Sequence, residues 1–587
     1  MPPITTGPSG STGPSTGPQD GGPQDDGPRT PRAVADAYVD ELVELDPLVA
    51  TSLGRRPGDD RAPDLSPQAQ DAKDDAARRA LRRLAAAEAA GAAEDPLEAR
   101  AARLLRERLE AQLAVSAAGE HLRQVRNIFG PPQAVRQLFS MMPARTPEDW
   151  AVIARRMSRV EESFAGYVES LRAGGRRGLY AAPRQVRTLA DQLGDWLDAA
   201  DGRGWFTGFV EEAPADLPES LRRSLREAAE SANRATADLR GVLLHEYLPA
   251  TEGTPDAVGA ERYRLLARLS TGADLDLEEA YHWGWQEYLR LDVEMRKEAE
   301  RVLPGATPLE AMRHLDAEGE AVEGVEAVRE RLQQMLDGAV ADLDGTHFDI
   351  AEPVKVVEAR IAPPGSAAAP YYTRPTLDFS RPGRTWLPTL GQNRFPLWNL
   401  VSTWYHEGVP GHHLQLAQWA YVAPQLSTYQ TTVGSVSANT EGWALYAERL
   451  MDELGYLADP GARLGYLDAQ MMRAVRVVID IGMHLRLSVP EDSTFHPGQT
   501  WTPELAREFF GAHSGREAAF IDSEVVRYLG WPGQAISYKL GERAWLAGRE
   551  EARRRRGEDF DLKAWHMAAL SAGSLGLDDL TEVLAGL

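Results

Sequence analysis

Cysteine is absent from the 587-residue sequence, which excludes disulfide bonds, thiolate metal ligands and a cysteine nucleophile. The sequence also has no apolar run long enough for a transmembrane helix, so we expect no association with a membrane. Its N-terminus lacks both the basic and the apolar segments of a secretory signal. We therefore expect a cytoplasmic protein.

Positive charge is scarce, because 64 Lys and Arg face 88 Asp and Glu and leave a net charge of −24. A nucleic-acid partner would require many contacts from Lys and Arg to phosphates, so we expect none. We interpret the acidity as favouring solubility. Composition gives no prediction of the oligomeric state.

The first 345 residues divide into a tail and a helical region. Residues 1–30 are rich in Gly, Pro, Ser and Thr, a composition that predicts a disordered tail. Apolar residues recur at helical spacing in 34–45, and the segments 71–93 and 95–117 are rich in Ala, Arg and Glu. We predict an N-terminal helical region over 31–345, with further helices near 147–172, 183–200, 216–244, 258–269, 276–301 and 322–343.

The pattern of apolar residues changes near residue 345. Residues 353–364 alternate and are rich in Val and Ile, so they predict a strand, and 384–389 predict a second after a loop. Helices then return near 397–408, 411–422, 439–454, 460–486, 503–512, 516–528, 532–555 and 561–571. The sequence therefore predicts a mainly α fold, with a small β element inside a catalytic region over 346–587.

Three of the 12 histidines lie within eight residues, at His406, His412 and His413 in "WYHEGVPGHHLQ". In a straight helix His412 would lie ~120° from the face of His406, and His413 ~10.5 Å along the axis. A regular helix through this stretch therefore cannot hold one metal ion with two histidines.

Gly408, Pro410 and Gly411 offer ways around this obstacle. Proline disrupts the helical hydrogen bonding and glycine permits unusual backbone dihedrals. A bulge or kink could bring His406 and His412 together. Alternatively, Pro410 could be the first residue of a new helix.

Glutamates near the cluster supply the other parts of a metal site. Glu407 would be the general base acting on a water molecule at a zinc ion. A third ligand is expected from the predicted helix 437–450, where Glu441 follows His412 by 29 residues. Glu448 lies two turns further along the same face.

Two later helices carry polar residues on an apolar background. Arg476, Asp480 and His484 share one face, which indicates an internal salt-bridge row, substrate binding, or support for a site through a carboxylate that orients an imidazole. Gln534 and Tyr538 lie one turn apart in a helix predicted to start at Pro532, and a Tyr hydroxyl can stabilise an oxyanion. A packed Tyr with a satisfied hydroxyl is the alternative.

Long motifs carry a resemblance to a known family. "HEGVPGHHLQ", "EGWALYAERL", "VVIDIGMH" and "RYLGWPGQAISYKLG" together resemble the bacterial family known as domain of unknown function 885. "DPLVATSLG", "YYTRPTLDFSRPG" and "FDLKAWHMAAL" extend the resemblance over nearly the whole chain after the tail. Where the family usually has Gly and Asp, this chain has Phe379 and Met567. The first change could reshape the cleft, and the second could be neutral.

That family is similar to gluzincin metallopeptidases of the thermostable-carboxypeptidase type. The resemblance implies a helical body with a deep cleft, and a metal site in which His412 rather than His413 is the second ligand. It also implies Glu441 as the third ligand and Glu448 as its companion seven residues on. The strand before the His helix would offer an edge to which a peptide could add.

We therefore expect a zinc-dependent hydrolase of peptide-like amide bonds, with one zinc ion on His406, His412 and Glu441. Glu407 would move the proton, and Tyr538 would stabilise the oxyanion with help from His484. The candidate substrate-binding residues, which could meet a substrate carboxylate, are Arg476, Arg527, Lys539 and Gln534. The candidate residues that support the metal ligands are Glu448, Asp480 and His413.

Two rival functions stay open. The two residues inserted between the His-Glu pair and the Gly-His pair could build a site for a specialised small-molecule amide or ester. The chain could also be a non-enzymatic helical binding protein with a degenerate metal site.

Overall fold

Many of the helices begin with a proline that follows an N-capping residue. The computed structural model describes residues 29–363 and 369–587, so the predicted disordered tail lies outside the described residues up to residue 28. In eight helices of the described part, the first residue is a proline preceded by Thr, Ser or Asp whose side chain accepts from a backbone N–H. The proline needs no amide partner at this position, and the capping oxygen satisfies one of the free N–H groups.

The described residues are mainly helical, which confirms the predicted fold class. The earlier helices are α1 (Pro31–Leu45), α2 (Pro47–Ser52), α3 (Pro67–Ala89), α4 (Pro96–Ala117), α5 (Pro131–Met141), α6 (Pro147–Met157), α7 (Val160–Arg176), α8 (Pro183–Gly202), α9 (Trp205–Glu211), α10 (Glu219–Val242), α11 (Leu248–Ala250), α12 (Ala260–Thr271) and α13 (Leu277–Val302). A 3₁₀ turn at Glu120–Arg123 follows α4, and a π turn at Leu243–Tyr247 follows α10.

The later helices surround the His cluster. They are α14 (Pro308–Glu318), α15 (Val325–Leu343), α16 (Leu400–Glu407), α17 (His412–Tyr421), α18 (Thr428–Thr431), α19 (Ser437–Glu453), α20 (Pro460–Leu485), α21 (Pro503–Ala512), α22 (Ala518–Gly530), α23 (Ser537–Arg556), α24 (Leu562–Leu570) and α25 (Leu577–Gly586). Short 3₁₀ turns occur at Glu352–Lys355, Ala423–Gln425 and Gly557–Asp559. No helix in the described ranges is both long enough and apolar enough to span a membrane.

Five short strands accompany the helices: β1 (Ala321–Glu323), β2 (Val357–Ile361), β3 (Tyr371–Thr373), β4 (Gly383–Leu387) and β5 (Arg394–Pro396). The two predicted strands overlap β2 and β4, whereas the three-residue strands β1, β3 and β5 were not predicted. β4 is the central strand of a sheet with the order β2-β4-β3, parallel to β2 and antiparallel to β3. The expectation of a free edge at the strand before the His helix is therefore wrong for β4, because it is paired on both sides.

Two large hydrophobic cores and one small cluster around Trp419 lie among the described helices. The larger core combines residues from 34–109 with residues from 263–584, and the smaller one lies within 125–247. The predicted boundary at residue 345 stays a prediction. α20 lies at the centre of the larger core, and nearly all of its side chains are buried.

Contact between two glycines sets the distance between α19 and α23. A Cβ on Gly541 would lie 2.1 Å from the carbonyl oxygen of Ala438 and 2.7 Å from Cα of Gly442. Since real side chains cannot approach this closely, only glycine allows the two backbones to meet here. The contact fixes the position of α19, which carries Glu441 and Glu448.

Candidate metal centre

A four-residue turn separates the two helices that carry the histidines. α16 ends at Glu407 and α17 begins at His412, so the second helix does not start at Pro410. A Cβ on Gly411 would lie 2.0 Å from the carbonyl oxygen of His406, so this close approach requires glycine. From α19, the indole N–H of Trp443 donates to the carbonyl oxygens of Pro410 and Gly411 at 2.9 and 3.1 Å.

The turn brings His406 and His412 together, with ring centroids 4.8 Å apart and nearly perpendicular planes. Nε2 of His406 and Nε2 of His412 lie 3.4 and 3.6 Å from Oε2 of Glu441. The three residues predicted as metal ligands therefore converge on one point from two helices of the His segment and from α19.

These donors fit a zinc ion. Ligands at ~2.1 Å from a tetrahedral zinc lie about 3.4 Å from one another, close to the separations found here. Oε2 of Glu441 is buried and has no hydrogen-bond partner within the described residues, although buried polar atoms are normally paired. Burial opposes ionisation, but His412 and His406 outweigh it and hold the pKa of Glu441 well below its usual range. An ionised carboxylate and two imidazoles form a donor set that zinc prefers.

Glu448 supports His406 from the side away from Glu441. Its Oε1 lies 2.7 Å from Nδ1 of His406, and its other oxygen accepts from the hydroxyl of Ser402. Burial disfavours the charged imidazole, but the nearby carboxylates of Glu441 and Glu448 outweigh it and raise the pKa of His406 to about 9. A carboxylate on the far nitrogen of a liganding His fixes the ring and its tautomer.

His413 points in another direction. Its Nδ1 lies 3.0 Å from the hydroxyl of Tyr372 on β3, and its Nε2 lies 2.7 Å from the carbonyl oxygen of Val354. Burial lowers the pKa of His413 to about 4, so the ring is neutral. One ring nitrogen bonds β3 and the other bonds the 3₁₀ turn before β2, so His413 anchors α17. Neither nitrogen is left to bind a metal.

Glu407 lies beside the two histidines. Ligand atoms of His406, Glu407 and His412 lie within 4.8 Å of one another, and Glu407 itself is buried. Burial raises the pKa of Glu407, while the charges of His412 and His406 oppose the rise. A carboxylate in this environment is a better proton acceptor than one in water.

Tyr538 is the second residue of α23, and its hydroxyl is close enough to Glu441 to feel the charge of that carboxylate. Burial raises its pKa, the charge of Glu441 adds to the rise, and the arginines at 476, 527 and 473 oppose it. The guanidinium of Arg476 stands over the ring at 4.9 Å. Gln534 lies in the turn before α23, since this helix begins at Ser537 and not at the predicted Pro532.

His484 and Asp480 are engaged elsewhere. Nε2 of His484 bonds the carbonyl oxygen of Tyr528 at 3.1 Å, and its Nδ1 accepts from the backbone N–H of Val258 at 3.3 Å. This arrangement leaves His484 no N–H for an oxyanion. Asp480 accepts from Tyr263 and from the backbone N–H of Gly533, at 2.7 and 3.0 Å, and its other oxygen lies 3.6 Å from Nε2 of His484.

The predicted substrate-binding arginines share one carboxylate. Arg476 donates to Oε2 of Glu524 at 2.8 Å, and Arg527 donates to both oxygens of Glu524. Arg527 also donates to Oε1 of Gln534 at 2.5 Å. Two buried guanidinium groups with one carboxylate leave one positive charge in excess, which would favour an anionic ligand.

Lys539 does not fit the role we expected, because all three of its N–H groups have buried acceptors. It donates to Glu287 at 2.7 Å, and to Gln470 and Glu542 at 2.5 Å each. The side chain is fully buried. Lys539 therefore joins α13, α20 and α23 and has no donor left for a substrate carboxylate.

Sequence reasoning missed Arg473. Its Nε is buried and has no partner in the described part of the chain, and its Nη2 lies 3.8 Å from Oε1 of Glu448. Its positive charge counteracts the rise in the pKa of Glu407. Its spacing of three residues from Arg476 on one helix was a usable signal, as was the spacing of Glu524 from Arg527.

A family profile described as "Bacterial protein of unknown function (DUF885)" matches residues 47–584. The chain belongs to the DUF885 family. A comparison with curated proteins gives no match.

Two solved structures resemble this DUF885 protein. One is described as a "putative lipoprotein" from Colwellia psychrerythraea, with 22% identity, a TM-score of 0.78 and coverage of 95% of this chain and 99% of the other. The second, from Shewanella oneidensis, is described in the same words and as of unknown function, with 17% identity, a TM-score of 0.72 and coverage of 94% and 99%. At these identities the likeness establishes a shared fold.

Phe379 and Met567, the two residues that differ from the usual DUF885 motifs, lie in different environments. Phe379 has a left-handed backbone with φ of 55°. Glycine adopts this conformation without cost, so the residue usual in the family would suit the loop between β3 and β4. Met567, on α24, packs against the larger core.

Proposed function

We propose that this DUF885 protein is a zinc-dependent hydrolase of peptide or peptide-like amide bonds. The observation that carries the proposal is the unpaired, buried Oε2 of Glu441, which lies between Nε2 of His406 and Nε2 of His412. A His-Glu pair, a following Gly-His pair and a later Glu also occur in gluzincin peptidases of the thermostable-carboxypeptidase type, to which the arrangement is similar.

The proposed mechanism assigns one task to each neighbouring side chain. When bound, zinc lowers the pKa of a water molecule and polarises a carbonyl group. Glu407 takes the proton of the attacking water and later passes it to the leaving amine. The hydroxyl of Tyr538 donates to the developing oxyanion. His406 and His412 are held in place by Glu448 and by the turn that Trp443 clamps.

The arginines beside Tyr538 favour a carboxypeptidase-like preference. Arg476 and Arg527 have one positive charge more than Glu524 can neutralise, and Arg476 lies over the ring of Tyr538. A planar guanidinium matches a carboxylate in two-pronged hydrogen bonds. We therefore propose that the free carboxylate of a short peptide is held here while its amide bond meets the metal centre.

Hydrolysis of a mixed library of short peptides tests the proposal, with mass spectrometry to identify the bond that is cut. We expect the zinc-loaded chain to release C-terminal residues. The Glu407→Gln variant should retain zinc and lose roughly 10²–10⁴-fold in kcat. Glu453→Gln is the matched control, because Glu453 lies on α19 but pairs with Arg549. Turnover by Glu407→Gln at the rate of the unaltered chain would contradict the assigned base.

A further inference from the structure

A second group of positively charged residues lies beside Trp531, in the turn that leads to Tyr538. The 3₁₀ turn after α4 places Arg123 and the residues following it next to Arg262 of α12. Arg123 and Arg262 both donate to Glu120, at 2.5 and 2.7 Å. Arg126 lies within range of the charges of Glu120 and Arg262. Arg123 and Arg262 therefore share one carboxylate, which cannot neutralise the positive charge of Arg126 as well.

Arg126 is the member of this group without an ionic partner of its own. Within the described residues its guanidinium makes no ion pair, and it stands over the ring of Trp531 at 4.8 Å. Burial lowers the pKa of Arg126 to about 10, so the group stays charged at neutral pH. Stacking uses the face of a guanidinium and leaves the N–H groups at its edge free to bind a planar anion.

The surroundings of Arg126 are open and partly apolar. Arg126 and Trp531 are both half-buried, and the neighbouring Phe129 is 57% exposed. Phe129 contacts the ring of Trp531 at 5.8 Å and has a left-handed backbone with φ of 51°. Asn127 holds this loop in place by donating to the carbonyl oxygen of Ser523 at 3.0 Å.

The Trp531 turn leads along the chain from this group to the helix that carries Tyr538. The backbone N–H of Trp531 donates to the carbonyl oxygen of Arg527 at 2.8 Å, and the side chain of Arg527 bonds Gln534 within the same turn. The chain then enters α23, whose second residue is Tyr538. Trp531 and Tyr538 are therefore seven residues apart, at the two ends of a turn whose residues 532–537 are buried.

We propose that Arg126, Arg262 and Trp531 form a second subsite that takes a side-chain carboxylate of an acidic peptide, at a distance from the bond that is cut. The peptide nature of the ligand rests on the proposed function. The subsite offers the free N–H groups of one guanidinium that is stacked on the ring of Trp531, and these suit a single carboxylate. A nucleic acid would instead need a row of positively charged residues to contact its phosphates. The net charge of −24 would otherwise repel acidic peptides, so a preference for them requires a local site.

Calorimetric binding to the full chain carrying Glu407→Gln tests this subsite without turnover. The probes are acetyl-(Ala-Glu)₃-amide and acetyl-(Ala-Gln)₃-amide, whose blocked ends remove the terminal carboxylate as an alternative source. We expect the Glu peptide to bind roughly tenfold more tightly at low salt. Adding Arg126→Gln should bring the ratio close to one, and Arg126→Lys should keep part of it. Arg507→Gln should leave the ratio unchanged, because Arg507 is exposed and pairs with Asp522.

Equal binding of the two peptides, no binding of either, or an unchanged ratio in a folded Arg126→Gln variant would overturn the subsite. Circular dichroism establishes whether each variant is folded. Trp531→Leu is a second variant, which removes the aromatic ring under Arg126 and keeps the positive charge. Hydrolysis of peptides without a preference for Glu would keep the proposed function and overturn the subsite. Preferential binding of the Glu peptide by a chain that hydrolyses no peptide would keep the subsite and overturn the proposed function.

Discussion

Glu448 lies 2.7 Å from Nδ1 of His406, with the carboxylate completely buried and 42 residues further along the chain. This contact fixes which nitrogen of His406 faces Glu441. It also places a negative charge where it strengthens His406 as a ligand. The contact therefore ties the packing of α16 on α19 to the proposed metal centre.

Removing the charge of Glu448 should weaken the metal site without dismantling it. We expect Glu448→Gln to lower zinc affinity by roughly 10–100-fold, because the partner that orients His406 loses its charge. Competition with a chromophoric chelator measures the affinity. Glu453→Gln on the same helix is the control and should leave the affinity unchanged, since Glu453 is half-exposed and pairs with Arg549. Equal affinities in the two variants would contradict the role of Glu448.

The glycine contact between α19 and α23 should be necessary for the metal site. A Cβ on Gly541 would approach Ala438 to 2.1 Å, so Gly541→Ala must push α19 away and displace Glu441. We expect a loss of about 1–3 kcal/mol in the free energy of unfolding together with weaker zinc binding. Gly338→Ala on the exposed side of α15 is the control, because nothing lies within 4 Å of its Cβ. It should stabilise the chain by up to about 1 kcal/mol.

Lys539 should affect stability and not substrate binding. Lys539→Met leaves Glu287 and Glu542 buried without their shared partner, and we expect a loss of about 3–5 kcal/mol in the free energy of unfolding. Lys563→Met should cost about 0–1 kcal/mol, because its pair with Asp349 lies at the surface. Denaturant titration measures both. A variant of Lys539 that keeps its stability but loses affinity for peptide carboxylates would restore the role predicted from the sequence.

Buried neutral histidines should make the protein sensitive to acid. Burial lowers the pKa of His566, which is fully buried and bonded to Tyr446, to about 3. Between the ordinary pKa of 6.5 and this value, the unfolded chain binds a proton that the folded chain does not, so stability falls as pH falls. From pH 7 to pH 5 this single group should cost about 2 kcal/mol.

The measurement is denaturant unfolding of the unaltered chain and of His566→Asn at both pH values. The variant should lose about 2 kcal/mol less than the unaltered chain over this interval. His245→Asn, at an exposed position, should leave the pH dependence unchanged. The same dependence in all three proteins would show that His566 is not held neutral by burial.

Local pattern was enough to select the residues that converge on the proposed centre. The spacing of His406 and His412 excluded a straight helix, and in the structure α16 ends at Glu407 and α17 begins at His412. The sequence could not decide between a kink and a helix starting at Pro410, because the answer depends on Gly411 meeting the carbonyl of His406 and on Trp443 from another helix.

Long-range partners explain what sequence reasoning missed. The face shared by Arg476, Asp480 and His484 was visible, but Glu524 and Tyr263, which bind two of these residues, come from other helices. Lys539 looked available because its acceptors lie on α13 and α20 as well as on its own helix. A helical pattern identifies which residues share a face, and only the packed structure identifies what that face meets.

Zinc stoichiometry in a pair of adjacent variants tests the central claim most directly. We would load the unaltered chain, His412→Gln and His413→Gln with zinc, remove excess metal and measure bound zinc by elemental analysis, with circular dichroism to establish folding. We predict one zinc ion per chain in the unaltered protein and in His413→Gln, and loss of zinc in His412→Gln. An unaltered chain that binds no zinc would contradict the proposal, as would a His412→Gln variant that keeps its zinc while His413→Gln loses it.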